Sequence, residues 1–116
     1  MLTAINPKLP MRSSEATKDY YINKLGFKLV GDYSDYLLFH KDDIEIHFFQ
    51  FTDIEPKDNY GQVYFRTNDI EALYQSFLDN KIEIHPNAPL ETKPWGQKEF
   101  SLIDPDNNLL TFGQAG

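Results

Sequence analysis

Within 116 residues the chain draws one outline twice. A strand-like stretch over residues 5–11 leads into a helix-like stretch over 14–24, and that half closes on Ile44-Glu45-Ile46-His47-Phe48-Phe49. Residues 61–67 then lead into 70–80, and the second half closes on Asn108-Leu109-Leu110-Thr111-Phe112. An offset of 56 sets Ala16 on Ala72 and Tyr21 on Phe77, and an offset of 64 sets Ile46 on Leu110, His47 on Thr111 and Phe48 on Phe112. Each copy is too small to bury a core alone, so the pattern predicts two modules sharing one core in a single domain. Module one spans 1–52, a linker 53–60 and module two 61–116. The cleft between modules is the natural place for a ligand.

Composition narrows the chemistry. Apolar residues make up 41% of the chain and aromatics 15%, which supports a core and argues against disorder. No apolar run approaches the roughly 18 residues of a membrane span. The opening MLTAINPKLPMR lacks the basic start and long apolar stretch of a secretion signal. Cysteine is absent, which excludes disulfides, cysteine–zinc sites, iron–sulfur clusters and thiol catalysis. A soluble, cytoplasmic protein is expected. A net charge of −7 serves solubility, argues against a nucleic-acid partner, whose backbone needs a basic patch, and favours a cationic ligand.

Local signals place the elements. Pro7 and Pro10 confine the first strand to an edge or to one-sided pairing, because proline removes a ladder donor. Ser13 or Ser14 caps the next helix, Ala16, Tyr20, Tyr21 and Leu25 give it a face, and Gly26 stops it in the left-handed conformation. Strands are expected over 27–30, 36–40 and 44–51, with turns at Gly31-Asp32 and Asp42-Asp43. In the second half, 62–67 alternates as a strand. Asn68 or Asp69 caps a helix with Ile70, Leu73, Tyr74, Phe77 and Leu78 at helical spacing. Residues 82–84, 98–103 and 108–113 read as strands. Residues 85–96 contain Pro86, Pro89 and Pro94 and form a loop long enough to carry function. The order is β-α-β-β-β twice, strands dominate, and the fold class is α+β.

Particular motifs go further. Asn6-Pro7-Lys8-Leu9-Pro10-Met11-Arg12, Tyr20-Tyr21 and Leu25-Gly26-Phe27 resemble the opening of bleomycin-resistance proteins. So do Glu45-Ile46-His47-Phe48-Phe49 and Pro94-Trp95-Gly96-Gln97-Lys98-Glu99-Phe100 running into Asp104-Pro105-Asp106. Asn107 stands where the family's aspartate-proline-aspartate-glycine-asparagine turn has glycine, and asparagine tolerates the left-handed geometry required there. The turn and the Tyr20-Tyr21 to Phe27 pattern are similar to the wider glyoxalase, or vicinal-oxygen-chelate, superfamily, whereas the Pro94-Trp95-Gly96 loop resembles the bleomycin-resistance branch. The resemblance implies paired βαβββ modules forming curved mixed sheets around a cup. It also implies a homodimer with sites at the subunit boundary, often with an exchanged N-terminal strand.

Superfamily enzymes hold a divalent metal at four strand positions, which the resemblance carries onto Asn6, His47, Gln62 and Thr111. Only His47 is a strong ligand, and zinc or iron wants three or four imidazole, thiolate or carboxylate donors. Glu45 shares the face of His47, but one carboxylate does not rebuild the set. His40 and His85 lie on other elements. No nucleophile elbow, phosphate loop or dinucleotide fingerprint is present. Asp42, Asp43, Asp104 and Asp106 stand in turns, where a solvated carboxylate is the ordinary reading. No metal, other cofactor or catalytic residue is therefore expected.

What remains is aromatic. The resemblance implies a flat heteroaromatic group stacked between Tyr36 and Trp95, with His47, Phe49, Gln62, Tyr64 and Thr111 lining the same site. Each such stack is worth about 0.5–1.5 kcal/mol beyond area burial. The expected function is non-catalytic sequestration of a bleomycin-like glycopeptide or another planar cationic small molecule, giving resistance. The alternative is a metal-dependent lyase or dioxygenase using His47 with Gln62 or Glu45. No membrane partner is expected.

Overall fold

The computed structural model describes residues 1–116, which fall into two compact units, Met1–Asn59 and Tyr60–Gly116. In the first, β1 (Lys8–Met11) is followed by α1 (Ser14–Lys18), which continues as a π-helical turn over Asp19–Lys24. Then come β2 (Lys28–Asp32), β3 (Tyr36–Lys41) and β4 (Ile44–Gln50), in the sheet order β1-β4-β3-β2. The second unit holds β5 (Gln62–Arg66), α2 (Ile70–Asp79), β6 (Glu91–Thr92), β7 (Gln97–Ile103) and β8 (Leu109–Ala115), ordered β5-β8-β7-β6. Both sheets are mixed: β1 runs parallel to β4 and β5 parallel to β8, and the other pairs are antiparallel. This is the α+β class with a βαβββ order in each unit. No helix is long and apolar enough to cross a membrane.

The offsets seen in the sequence are registers in space. Lys8 faces His47 across β1 and β4, and Tyr64, 56 residues on from Lys8, faces Thr111, 64 on from His47. The cores repeat as well. Buried Tyr21 packs on Phe48 with ring centroids 4.6 Å apart, and its counterpart Phe77 packs on Phe112 at 5.4 Å. Phe39 and Phe27 complete the first cluster, while Phe65 and Phe100 stack on Phe112 in the second.

The helix termini follow their chemistry. Ser13 Oγ accepts from the Ala16 N–H and Asp69 Oδ1 from the Ala72 N–H. Gly26, at φ +79°, ends the first helix as only a residue without Cβ does easily. The buried face of that helix is Thr17, Tyr21 and Leu25, and Ala16 is exposed. A spacing of four residues drifts about 40° per step on an α-helix, and the wider π turn brings the three side chains back into line. Lys18 pairs with Asp32 at 2.6 Å. The Lys18 hydrogen bond, helped by the Ser34 N–H, holds the Asp32 carboxyl below its ordinary range.

Several expectations are corrected. The first strand begins at Lys8, although His47 N–H still donates to Pro7 O at 3.0 Å. β1 pairs only with β4, as its prolines require. Gly31 and Asp32 belong to β2, which bulges between Leu29 and Gly31, and the chain turns at residues 33–35 with Ser34 at φ +66°. Residues 82–84 form no strand. The segment that follows touches β7 at Ser101, whose O accepts from the His85 N–H and whose N–H donates to Ala88 O, because Pro86 and Pro89 cannot continue a ladder. Glu91–Thr92 pairs with β7 instead. Asp104 and Asp106 are buried rather than solvated. The Asp104 carboxylate accepts from the N–H groups of Asp106 and Asn108 and from the Asn108 amide, all within 3.0 Å. Asn107 takes φ +67° to close that turn.

Candidate functional site

Period-two alternation puts the interesting side chains of each sheet on the face opposite its core. In the first unit Asn6 precedes β1, Glu45, His47 and Phe49 lie on β4, and Tyr36 opens β3 opposite Phe49. Asn6 Nδ2 donates to Glu45 Oε2 at 3.4 Å, Glu45 Oε2 lies 2.6 Å from His47 Nε2, and His47 Nδ1 lies 2.8 Å from the Tyr36 hydroxyl. The carboxylate can only accept, so Nε2 carries the proton in the neutral ring, and Nδ1 accepts from the Tyr36 O–H. Lys8 Nζ sits 5.4 Å from the Tyr36 ring centroid. Tyr36 and Phe49 are half-buried. The result is an aromatic ring held in place from its polar end.

The second unit repeats the device with different residues. Gln62, Tyr64 and Arg66 alternate along β5, and Gln97, Glu99 and Ser101 along β7. Trp95 is 65% exposed, yet its Nε1–H donates to Glu99 Oε2 at 3.2 Å. The Tyr64 hydroxyl donates to the same oxygen at 2.7 Å. To reach it, the Tyr64 ring crosses β8 at Gly113, where any Cβ would lie 1.9 Å from the hydroxyl. Arg66 lies over Tyr64, 5.2 Å from the ring centroid, and donates to Gln97 Oε1. Gln62 is exposed, and Thr111 is half-buried with Ser101 Oγ 3.0 Å from its Oγ1.

Of the seven side chains expected to line a site, Tyr36, His47 and Phe49 therefore share one sheet face, and Gln62, Tyr64 and Thr111 another, with Trp95 tied to the latter through Glu99. Glu99 escaped sequence reasoning. Its signal was the alternation Gln97, Glu99, Ser101 against buried Phe100 and Leu102, and an isolated glycine in the neighbouring strand, which marks a close approach. An open groove of about 550 Å³, lined by Asp69, Glu71, Thr92 and Lys98 among others, contains none of the seven.

The donor set does not fit a divalent metal. Asn6 and Gln62 offer amides and Thr111 a hydroxyl, and both ring nitrogens of His47 are engaged within the protein. No three His, Cys, Asp or Glu side chains gather so as to hold an ion.

Burial, then the Glu99 hydrogen bond and charge, push the Tyr64 phenol above its ordinary range, with Arg66 pulling the other way. A raised value means that this contribution to stability is whole below the ordinary phenol pKa of about 10 and is lost as pH rises through the folded value. In an absorbance titration Tyr64→Phe should remove absorbance change from the range above the ordinary phenol pKa. A titration unchanged by Tyr64→Phe contradicts the assignment.

Known proteins are similar to this chain in sequence and in fold. The bleomycin resistance protein of Geobacillus stearothermophilus is 29% identical over 98% of this chain and 97% of its own. A bleomycin resistance determinant encoded on the transposon Tn5 superposes with a TM-score of 0.88 at 25% identity, covering 97% of this chain and 98% of that one. The bleomycin-binding protein of Streptomyces verticillus, solved with copper(II)-bleomycin, shares the fold with a TM-score of 0.81 at 21% identity, over 100% and 98% of the two chains. The sequence profile of one family covers residues 5–112, and by that match the chain belongs to the glyoxalase/bleomycin resistance protein/dioxygenase superfamily.

Proposed function

We propose that the chain binds and sequesters a bleomycin-like glycopeptide, or a closely related planar cationic compound, and confers resistance by lowering its free concentration without altering it. The observation that carries this reading is Trp95: an indole left 65% exposed while its N–H is anchored to a buried carboxylate. An exposed tryptophan with a fixed polar edge offers its face to a flat guest. In the first unit Tyr36, fixed through His47 and opposite Phe49, offers an aromatic surface of its own, and in the second Tyr64, Gln62 and Thr111 share the sheet face to which Trp95 is tied. The relatives named bleomycin resistance proteins support the same reading, as does a net charge of −7 toward a cationic guest.

The protein acts as a homodimer, as the resemblance to the family implies, works in the cytoplasm and needs no metal of its own. Calorimetry with metal-free and copper-loaded bleomycin tests the role directly. Saturable heat is expected with both forms. No heat at protein concentrations of tens of micromolar, a range that detects dissociation constants of about that size, would refute it.

A further inference from the structure

The geometry points to the open oxygen of Glu99, beside the exposed face of Trp95, as a subsite for a flat organic cation bearing N–H donors, of the amidinium or guanidinium class. The inference rests on the binding role proposed above and names the chemistry of guest that the second unit takes.

Glu99 is 8% exposed, and both of its protein donors, the Tyr64 hydroxyl and the Trp95 Nε1–H, fall on Oε2. Both donors are neutral. No side-chain nitrogen or oxygen in the chain is at once buried and without a hydrogen-bond partner. Oε1 receives no protein donor, so it reaches the surface. None of the neighbouring cations forms an ion pair with it: Lys93 pairs with Glu91, Lys98 with Glu71, and Arg66 lies over Tyr64 and bonds Gln97. A mostly desolvated carboxylate outside any ion pair attracts a cation more strongly than a surface aspartate does.

The adjoining indole adds selectivity. Its anchored N–H fixes the ring, and a planar cation gains from the π-face while it donates to Oε1. A spherical cation gains from the charge alone. A neutral planar molecule gains from the ring alone.

Benzamidine and its neutral analogue benzamide separate these terms, and Trp95, the sole tryptophan, reports both by fluorescence. Benzamidine is expected to quench saturably and to bind about tenfold or more tightly than benzamide, as a charge-assisted contact requires. Glu99→Gln keeps an acceptor oxygen but loses the charge, and should shrink the preference to within about twofold. Equal binding of the two compounds to the native protein, or a preference that survives Glu99→Gln, overturns the subsite. Should Glu99→Gln fail to fold, the native protein still decides: magnetisation transfer from the benzamidine ring to the Trp95 indole protons is expected at saturation, and its absence overturns the proposal. Failure of the drug reading is distinguishable. Bleomycin that does not bind while the benzamidine preference holds removes that reading and leaves the subsite. Bleomycin that binds with no such preference removes the subsite and leaves the reading.

Discussion

Trp95→Ala is expected to weaken bleomycin binding by roughly two orders of magnitude, a loss of about 2–3 kcal/mol typical of an aromatic anchor. Removal of the indole forfeits its apolar area, its stacking term and its alignment by Glu99. The folded state should hardly notice, because the ring is 65% exposed and packs no core. Trp95→Phe keeps a stacking face without the anchoring N–H and should fall between the two. Tyr60→Ala, which removes another exposed aromatic ring at 82%, serves as the control and should leave affinity within about twofold. Calorimetry on the four proteins checks the order. Equal losses for Trp95→Ala and Tyr60→Ala would remove Trp95 from the binding surface.

Gly113→Ala should destabilise the protein by about 2–3 kcal/mol although it adds only one methyl group, the cost of stripping a hydrogen bond from a buried charged acceptor. The new Cβ would stand 1.9 Å from the Tyr64 hydroxyl and 2.5 Å from Cζ. No rotation of the hydroxyl relieves both, so the ring must swing off β8. Glu99 then loses the 2.7 Å hydrogen bond from the phenol and keeps only the indole donor. A thermal melt should show a fall of roughly 8–24 °C, at about 4–8 °C per kcal/mol for a domain near this size. The decisive comparison is made in a Tyr64→Ala background, where the three atoms nearest the new methyl group are gone and the further cost of Gly113→Ala should nearly vanish. Additive losses would show that the clash with Tyr64 is not the cause.

Much of the architecture could be read from the residues alone, and the reasons are local. The paired offsets of 56 and 64 hold because strand registers in both halves repeat, so that Tyr21 meets Phe48 as Phe77 meets Phe112. Gly26 and Asn107 announced left-handed positions, since few other residues accept them. The failures arose where composition or position alone does not say which groups will meet. Ile82 and Ile84 have strand composition, yet two nearby prolines leave the edge of β7 to Glu91 and Thr92. Asp104 sits in a turn, as its neighbours suggest, but nothing local reveals that three N–H donors will bury its carboxylate. Within the candidate site, Trp95 and Tyr36 stood out as aromatics in motifs. Glu99 did not, because its meaning depends on Tyr64, 35 positions earlier in the chain.

The commitment of both imidazole nitrogens of His47, one to Glu45 and one to Tyr36, bears on cargo that arrives already loaded. A host with a vacant imidazole would compete for copper and tear a chelate apart during docking. At His47 this one has no spare grip to offer, so that side chain should leave the ion of a docked metallated antibiotic in place.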